Sequence, residues 1–145
     1  MDKAAEAKIR YEISQIDELV EKSLPLVSLC RIKEPDFIEL TAAGGILHSF
    51  YNGLENIFVL FGKVLDFNFK DSPQWHRNLI DFIFTRFDFL PSGLRQPLAE
   101  YMGFRHFFRH SYGYTTKWEK CAHLFLGMPD FWQTIRQEIS RMCAM

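Results

Sequence analysis

The strongest constraint on how this chain folds lies between Phe37 and Leu65, where Phe37, Leu40, Leu47, Tyr51, Leu54, Phe58, Phe61 and Leu65 recur at near-heptad steps. That period marks one face of an α-helix of about seven turns. So long an apolar stripe needs other helices along its length. Glu34-Pro35-Asp36 reads as its start, with proline in the first turn and acids near the positive end of the helix dipole. Gly44, Gly45, Gly53 and Gly62 fall inside it. Glycine weakens a helix, so several of these are expected to mark close approach of a neighbour.

Partners are legible on both sides. Ile9, Ile13, Ile16, Val20, Leu24 and Val27 form a preceding amphipathic helix that Pro25 is expected to kink or end. The segment 66–74 reads as a linker, closed by Ser72-Pro73 as cap and first-turn proline of a helix through Leu79, Ile80, Phe82, Ile83 and Phe87. Pro91-Ser92-Gly93 starts a fourth helix, carrying Leu94, Leu98, Tyr101, Met102 and Phe104. Gly113 is a helix stop, and Thr116 and Glu119 have the spacing of a capping box for the next helix. Gly127 and Pro129 are expected to break that helix before a last amphipathic segment through Phe131, Trp132, Ile135, Ile139 and Met142. With no period-2 alternation and no internal repeat, the expectation is an all-α antiparallel bundle of four to six helices, one domain over 1–145.

Composition sets outer limits. With 48% apolar residues in 145, the chain can bury a core without disulfides or a structural metal. Cys30, Cys121 and Cys143 are widely spaced and suggest ordinary thiols in a reducing compartment. Net charge is −1, divided as −4 up to Gln74 and +3 beyond it, a mild asymmetry that suits a polyanion on the C-terminal half. Met1 to Leu24 lacks the apolar core of a signal peptide and no long apolar run spans a membrane, so a soluble cytoplasmic protein is expected. Fifteen phenylalanines are many for a small bundle. They imply either an aromatic core or an apolar face that a dimer or another partner covers.

The residues with most chemistry stand together at Arg105-His106-Phe107-Phe108-Arg109-His110-Ser111-Tyr112. On a straight helix Arg105 and Arg109 share one face and His106 and His110 another. Arg105 and His110, five apart, then lie about 140° from each other. They converge only where the helix loosens near its end, or across a two-fold axis. The set suits metal-free cleavage of RNA: an imidazole accepts the proton of a ribose 2′-OH, and a guanidinium holds the phosphate and stabilises developing charge. The leaving 5′-oxygen needs a donor, supplied by His106 in the same chain or by a second His110. A surface cap or ion-pair cluster has the same spacing. The histidines lack an acid at ligand spacing, so no metal is expected. His48, His76 and His123 stand alone and read as ordinary helix or loop residues.

Arg105-x-x-x-x-His110-x-Tyr112, late in a small helical domain, resembles the R-x4-H-x-Y motif of the HepT toxins of the HEPN superfamily. The resemblance implies a homodimeric, metal-independent ribonuclease in which two motifs face each other across the interface. It implies Arg105 and His110 as the catalytic pair, with His106 and Arg109 in support, and no cofactor. It further implies a cognate minimal nucleotidyltransferase antitoxin that attaches AMP to Tyr112 and so switches activity off. His106 departs from the asparagine the family often carries after its arginine. The alternative is a non-enzymatic helical subunit that binds a nucleotidyltransferase and presents its substrate.

Overall fold

The helix the apolar stripe calls for, here α2, runs over Phe37–Val64. It begins in a capping box: the Glu39 N–H donates to Asp36 Oδ1 at 2.8 Å and the Asp36 N–H to Glu39 Oε1 at 2.9 Å. Pro35 stands before the cap, outside the first turn. The computed structural model describes residues 1–69, 72–110 and 116–145. Around α2 it sets α1 (Lys3–Ile32), α3 (Trp75–Arg86), α4 (Arg95–Arg109) and α5 (Trp118–Ala144), with one 3-10 turn at Ser92–Leu94 ahead of α4. Helix α2 touches each of the other four, so it is the axis of an all-α bundle.

The pairs α1–α2, α1–α5 and α2–α4 run antiparallel. On α1 and α2, Ile16 meets Gly53, while Tyr11 lies by Lys63. Asp17 of α1 holds Trp132 and Arg136 of α5, whereas Arg31 reaches back to the Leu126 carbonyl. On α2 and α4, Gly44 faces Phe108 and Asn52 faces Arg105. No helix of the described residues is long and apolar enough to cross a membrane.

Neither proline ends its helix: of the kink or end expected at Pro25 the end does not occur, nor does the break expected at Pro129. Helix α1 passes through Pro25 to Ile32, and α5 through Gly127 and Pro129 to Ala144. An internal proline removes a hydrogen bond and costs about 3 kcal/mol. At Pro25 the residue and Glu21, whose carbonyl it frees, are both on the exposed side, and Val20, Val27 and Cys30 are buried on either side. Burial of the flanking turns outweighs the local cost. Near Pro129, Arg31 Nη2 donates to the Leu126 carbonyl at 2.9 Å, a tertiary bond inside the turn that the proline disrupts.

Two caps also fall elsewhere than expected. Helix α3 is capped by Gln74, and Ser72 Oγ accepts from the Gln74 N–H in the turn ahead of it. Helix α5 is capped by Lys117 without a side-chain hydrogen bond, so Thr116 does not close a box with Glu119. Gly113 lies outside the described residues.

The core is aromatic at its centre. Phe50, wholly buried, meets Tyr101, Phe131 and Trp132 edge-on at 5.2 to 6.3 Å. Ile32, Phe37 and Ile38, at the turn between α1 and α2, remain exposed. Cys30 and Cys121 are buried and Cys143 half-buried, all three as free thiols. Burial pushes the Cys121 thiol up to about 11, which leaves it a packing residue.

Close approach explains three of the four α2 glycines. A β-carbon at Gly53 would lie 2.8 Å from Ile16 Cγ1, one at Gly62 2.9 Å from Phe69 and one at Gly44 3.0 Å from Phe108. At Gly45 it would meet nothing within 4 Å. Alanine at Gly45 is therefore expected to stabilise by up to about 1 kcal/mol through helix propensity. At Gly53 the overpacking, about 1 to 3 kcal/mol, outweighs that gain. Urea melts of the two variants should shift in opposite directions. A common shift would mean that Ile16 yields freely.

Candidate active site

The end of α4 carries the motif and turns its members to different sides. Arg105 points inward onto α2, its side chain 15% exposed. Its Nη2 donates to Asn52 Oδ1 at 3.1 Å, and Nη1 stands 3.8 Å from Glu55 Oε1. Arg105 Nε is buried and has no partner. Glu55 is itself buried, and its other oxygen meets His76 Nδ1 of α3 at 2.6 Å. His76 stacks on Trp75, ring centroids 3.7 Å apart. Glu55 thus ties α3 and α4 to α2 through one carboxylate.

Beside this network lies His48, half-buried on α2, with its ring 5.3 Å from that of Phe108. Burial, then the charges of Arg105 and Arg109, hold its pKa below the ordinary histidine value. Its Nδ1 is buried without a partner. A neutral imidazole next to two guanidinium groups is a proton acceptor set against an anion-binding surface.

His106, Arg109 and His110 are exposed. The two histidine rings lie 4.7 Å apart, as four-residue spacing on one face requires. Helix α4 ends at Arg109; His110 caps it with φ −107° and ψ 10°, its N–H on the Phe107 carbonyl. The loosening expected near Arg109 therefore begins at His110. Even so, among the described residues Arg105 and His110 share no hydrogen bond: Arg105 is held against α2, and the His110 ring lies by that of His106. Tyr112 lies outside the described residues. Among the described residues no group of three or more His, Cys, Asp or Glu side chains is placed to hold a metal ion.

A model of the HepT-like protein family matches residues 42–145. The chain belongs to this family. No curated protein and no solved structure matches it at a significant level. The matched stretch takes in most of α2 and all of α3, α4 and α5, hence every residue of the Arg105 network. A HepT-like chain is toxin-like in the HEPN manner.

Three members of this HepT-like site escape a reading by motif. Glu55, Asn52 and His48 are on α2, about fifty residues before the arginine they surround. Glu55 had a signal: it sits in the buried stripe between Tyr51 and Phe58, where a lone carboxylate needs a partner. His76 and His123, read as solitary, are paired with Glu55 and Glu100.

Proposed function

We propose that this HepT-like chain is the toxin of a toxin–antitoxin pair and cleaves RNA without a metal, as a homodimer. The observation that carries the reading is the motif's placement: it closes α4, with Arg105 anchored from within by Asn52 and Glu55 and with His110 exposed at the helix terminus. Anchoring fixes the guanidinium plane for bidentate contact with a phosphate, and the exposed imidazole is free to approach a ribose.

In the reaction, His110 accepts the proton of a 2′-OH and that oxygen attacks the adjacent phosphorus. Arg105 stabilises charge on the phosphoryl oxygens. The 5′-oxygen leaves with a proton from His110 of the second subunit, so a 2′,3′-cyclic phosphate and a 5′-hydroxyl end form. Arg105 and His110 diverge within a chain, which is why two copies meeting at a two-fold axis complete the site. His106 and Arg109 add positive charge and a second proton donor along the substrate path.

Regulation rests on the sequence motif, in which Tyr112 stands two residues after His110. The Tyr112 phenol oxygen attacks the α-phosphorus of ATP on a minimal nucleotidyltransferase, pyrophosphate leaves, and the AMP left behind puts bulk and negative charge where an RNA phosphate must sit.

The deciding experiment mixes Arg105→Ala chains with His110→Ala chains and measures RNA cleavage in chelator. Each variant alone should be inactive, and the mixture, which keeps one Arg105 and one His110 on different subunits and must draw the leaving-group proton from His106, should recover part of the activity. An inactive mixture of demonstrated heterodimers rules out a site in which one Arg105 and one His110 from different subunits suffice. Incubation with the cognate nucleotidyltransferase and ATP should add the mass of AMP to the wild type and leave Tyr112→Phe unmodified.

A further inference from the structure

Of the three buried polar side chains among the described residues, two are satisfied: Ser23 donates to the Leu19 carbonyl at 2.6 Å, and Glu55 meets His76. Thr116 is not. It is 5% exposed, and its Oγ1 has no hydrogen-bond partner. A buried hydroxyl left unpaired costs about 1 to 3 kcal/mol, so its position calls for a reason.

Thr116 is one of the residues lining a cleft of about 680 Å³ between α4 and the start of α5. Phe104 and Phe107 of α4 form one wall, and Lys117 and Lys120 stand on the other side with Thr116. Phe107 is 46% exposed. Helix α5 is 27 residues long and begins here, its N-cap Lys117 making no side-chain hydrogen bond, so the positive end of its dipole lies beside the cleft. The Glu100 carboxylate on the wall is engaged by His123 at 2.5 Å. Glu119, in the same first turn, is exposed and does not line the cleft.

An aromatic wall beside an anion cradle matches one ligand chemistry. Flat bases stack on phenylalanine faces, and phosphates settle at uncapped helix N-termini flanked by lysine. The volume is that of an ordinary small-ligand pocket and holds such a unit. We propose that this cleft binds a single nucleotide, its base against Phe104 and Phe107 and its phosphate held by Thr116, Lys117, Lys120 and the start of α5. With RNA as substrate, that nucleotide belongs to the strand and lies beyond the bond being cut; only this choice of source rests on the nuclease reading. Phe104 and Phe107 occupy a face of α4 roughly opposite Arg105 and Arg109, by the rotation of about 100° per residue. The strand would wrap the end of α4.

The test uses the full-length His110→Ala chain with two probes, a short fluorescein-labelled RNA and free AMP. Phe107→Ala and Lys120→Ala should each weaken binding about tenfold, the second with a shallower salt dependence. Thr116→Val separates ligand binding from packing: it should raise the melting temperature, since it removes an unpaired buried hydroxyl, and still weaken binding severalfold. Loss of RNA binding identifies the strand as the source, and loss of AMP binding alone identifies a free nucleotide. Both support the cleft. Binding of both probes indifferent to all three substitutions overturns it. Cleavage by the wild type is scored separately: nucleotide bound in the cleft with no RNA cut sinks the nuclease reading alone, and RNA cut with the cleft indifferent sinks the cleft alone.

Discussion

Replacing Arg105 with alanine is expected to slow RNA cleavage by about 10²- to 10³-fold, the usual effect of deleting a preorganised donor to a transition-state oxyanion. The loss should appear in kcat more than in KM, because developing charge at phosphorus draws on the guanidinium more than the ground state does. Arg105→Lys should recover little. A lysine ammonium keeps the charge but has no planar fork, so it cannot bond Asn52 Oδ1 and also present two parallel donors outward. The measurement is the initial rate on a labelled RNA in chelator, beside far-UV circular dichroism and a thermal melt. A fully folded Arg105→Ala chain that cuts at the wild-type rate would reduce Arg105 to a strut between α4 and α2.

That outcome is a real alternative because Arg105 is engaged on the protein side. Its half-burial and its contacts with Asn52 and Glu55 are what a structural arginine would show. Activity and stability must therefore be read together. His110→Ala supplies the contrast: His110 is exposed and caps α4 through its backbone N–H alone, so its removal should stop cleavage with the melt nearly unchanged.

How far the sequence reaches differs between elements. The stripe from Phe37 to Leu65 is strict enough to give α2 almost to the residue, although Pro35, expected in the first turn, stands ahead of the Asp36–Glu39 capping box. Three of the four glycines within it, Gly44, Gly53 and Gly62, point correctly to close neighbours, whereas Gly45 does not. Proline ends neither helix at Pro25 or Pro129, where a local cost of about 3 kcal/mol is overridden by packing of the turns on either side. The motif is visible because its members are consecutive on one helix. The residues that hold it come from α2 and α3, and pairing between distant helices leaves no periodic trace. Glu55 is the exception in principle, since a charge on a buried face announces that something must meet it. Nothing in the sequence says that the something is Arg105.

Glu55 carries the second large effect. Its carboxylate is 8% exposed and faces two cations or potential cations, His76 at 2.6 Å and Arg105 at 3.8 Å. Glu55→Ala leaves the Arg105 guanidinium half-buried against Asn52 alone, and removing one partner of a buried pair costs about 3 kcal/mol or more. Glu55→Gln keeps an acceptor for His76 and the side-chain volume, so it should lose roughly half as much. Both variants should also slow cleavage, as expected of a positioning residue that acts through Arg105 without touching RNA. A double-mutant cycle separates the two roles. If Glu55 acts through Arg105, Glu55→Ala in an Arg105→Ala background should cost at least about 1 kcal/mol less than in the wild type and slow cleavage no further. Additive losses in stability and rate would show that the two side chains are neighbours without being partners. Arg105 would then owe its position to Asn52, and Glu55 would serve only to fasten α3 through His76.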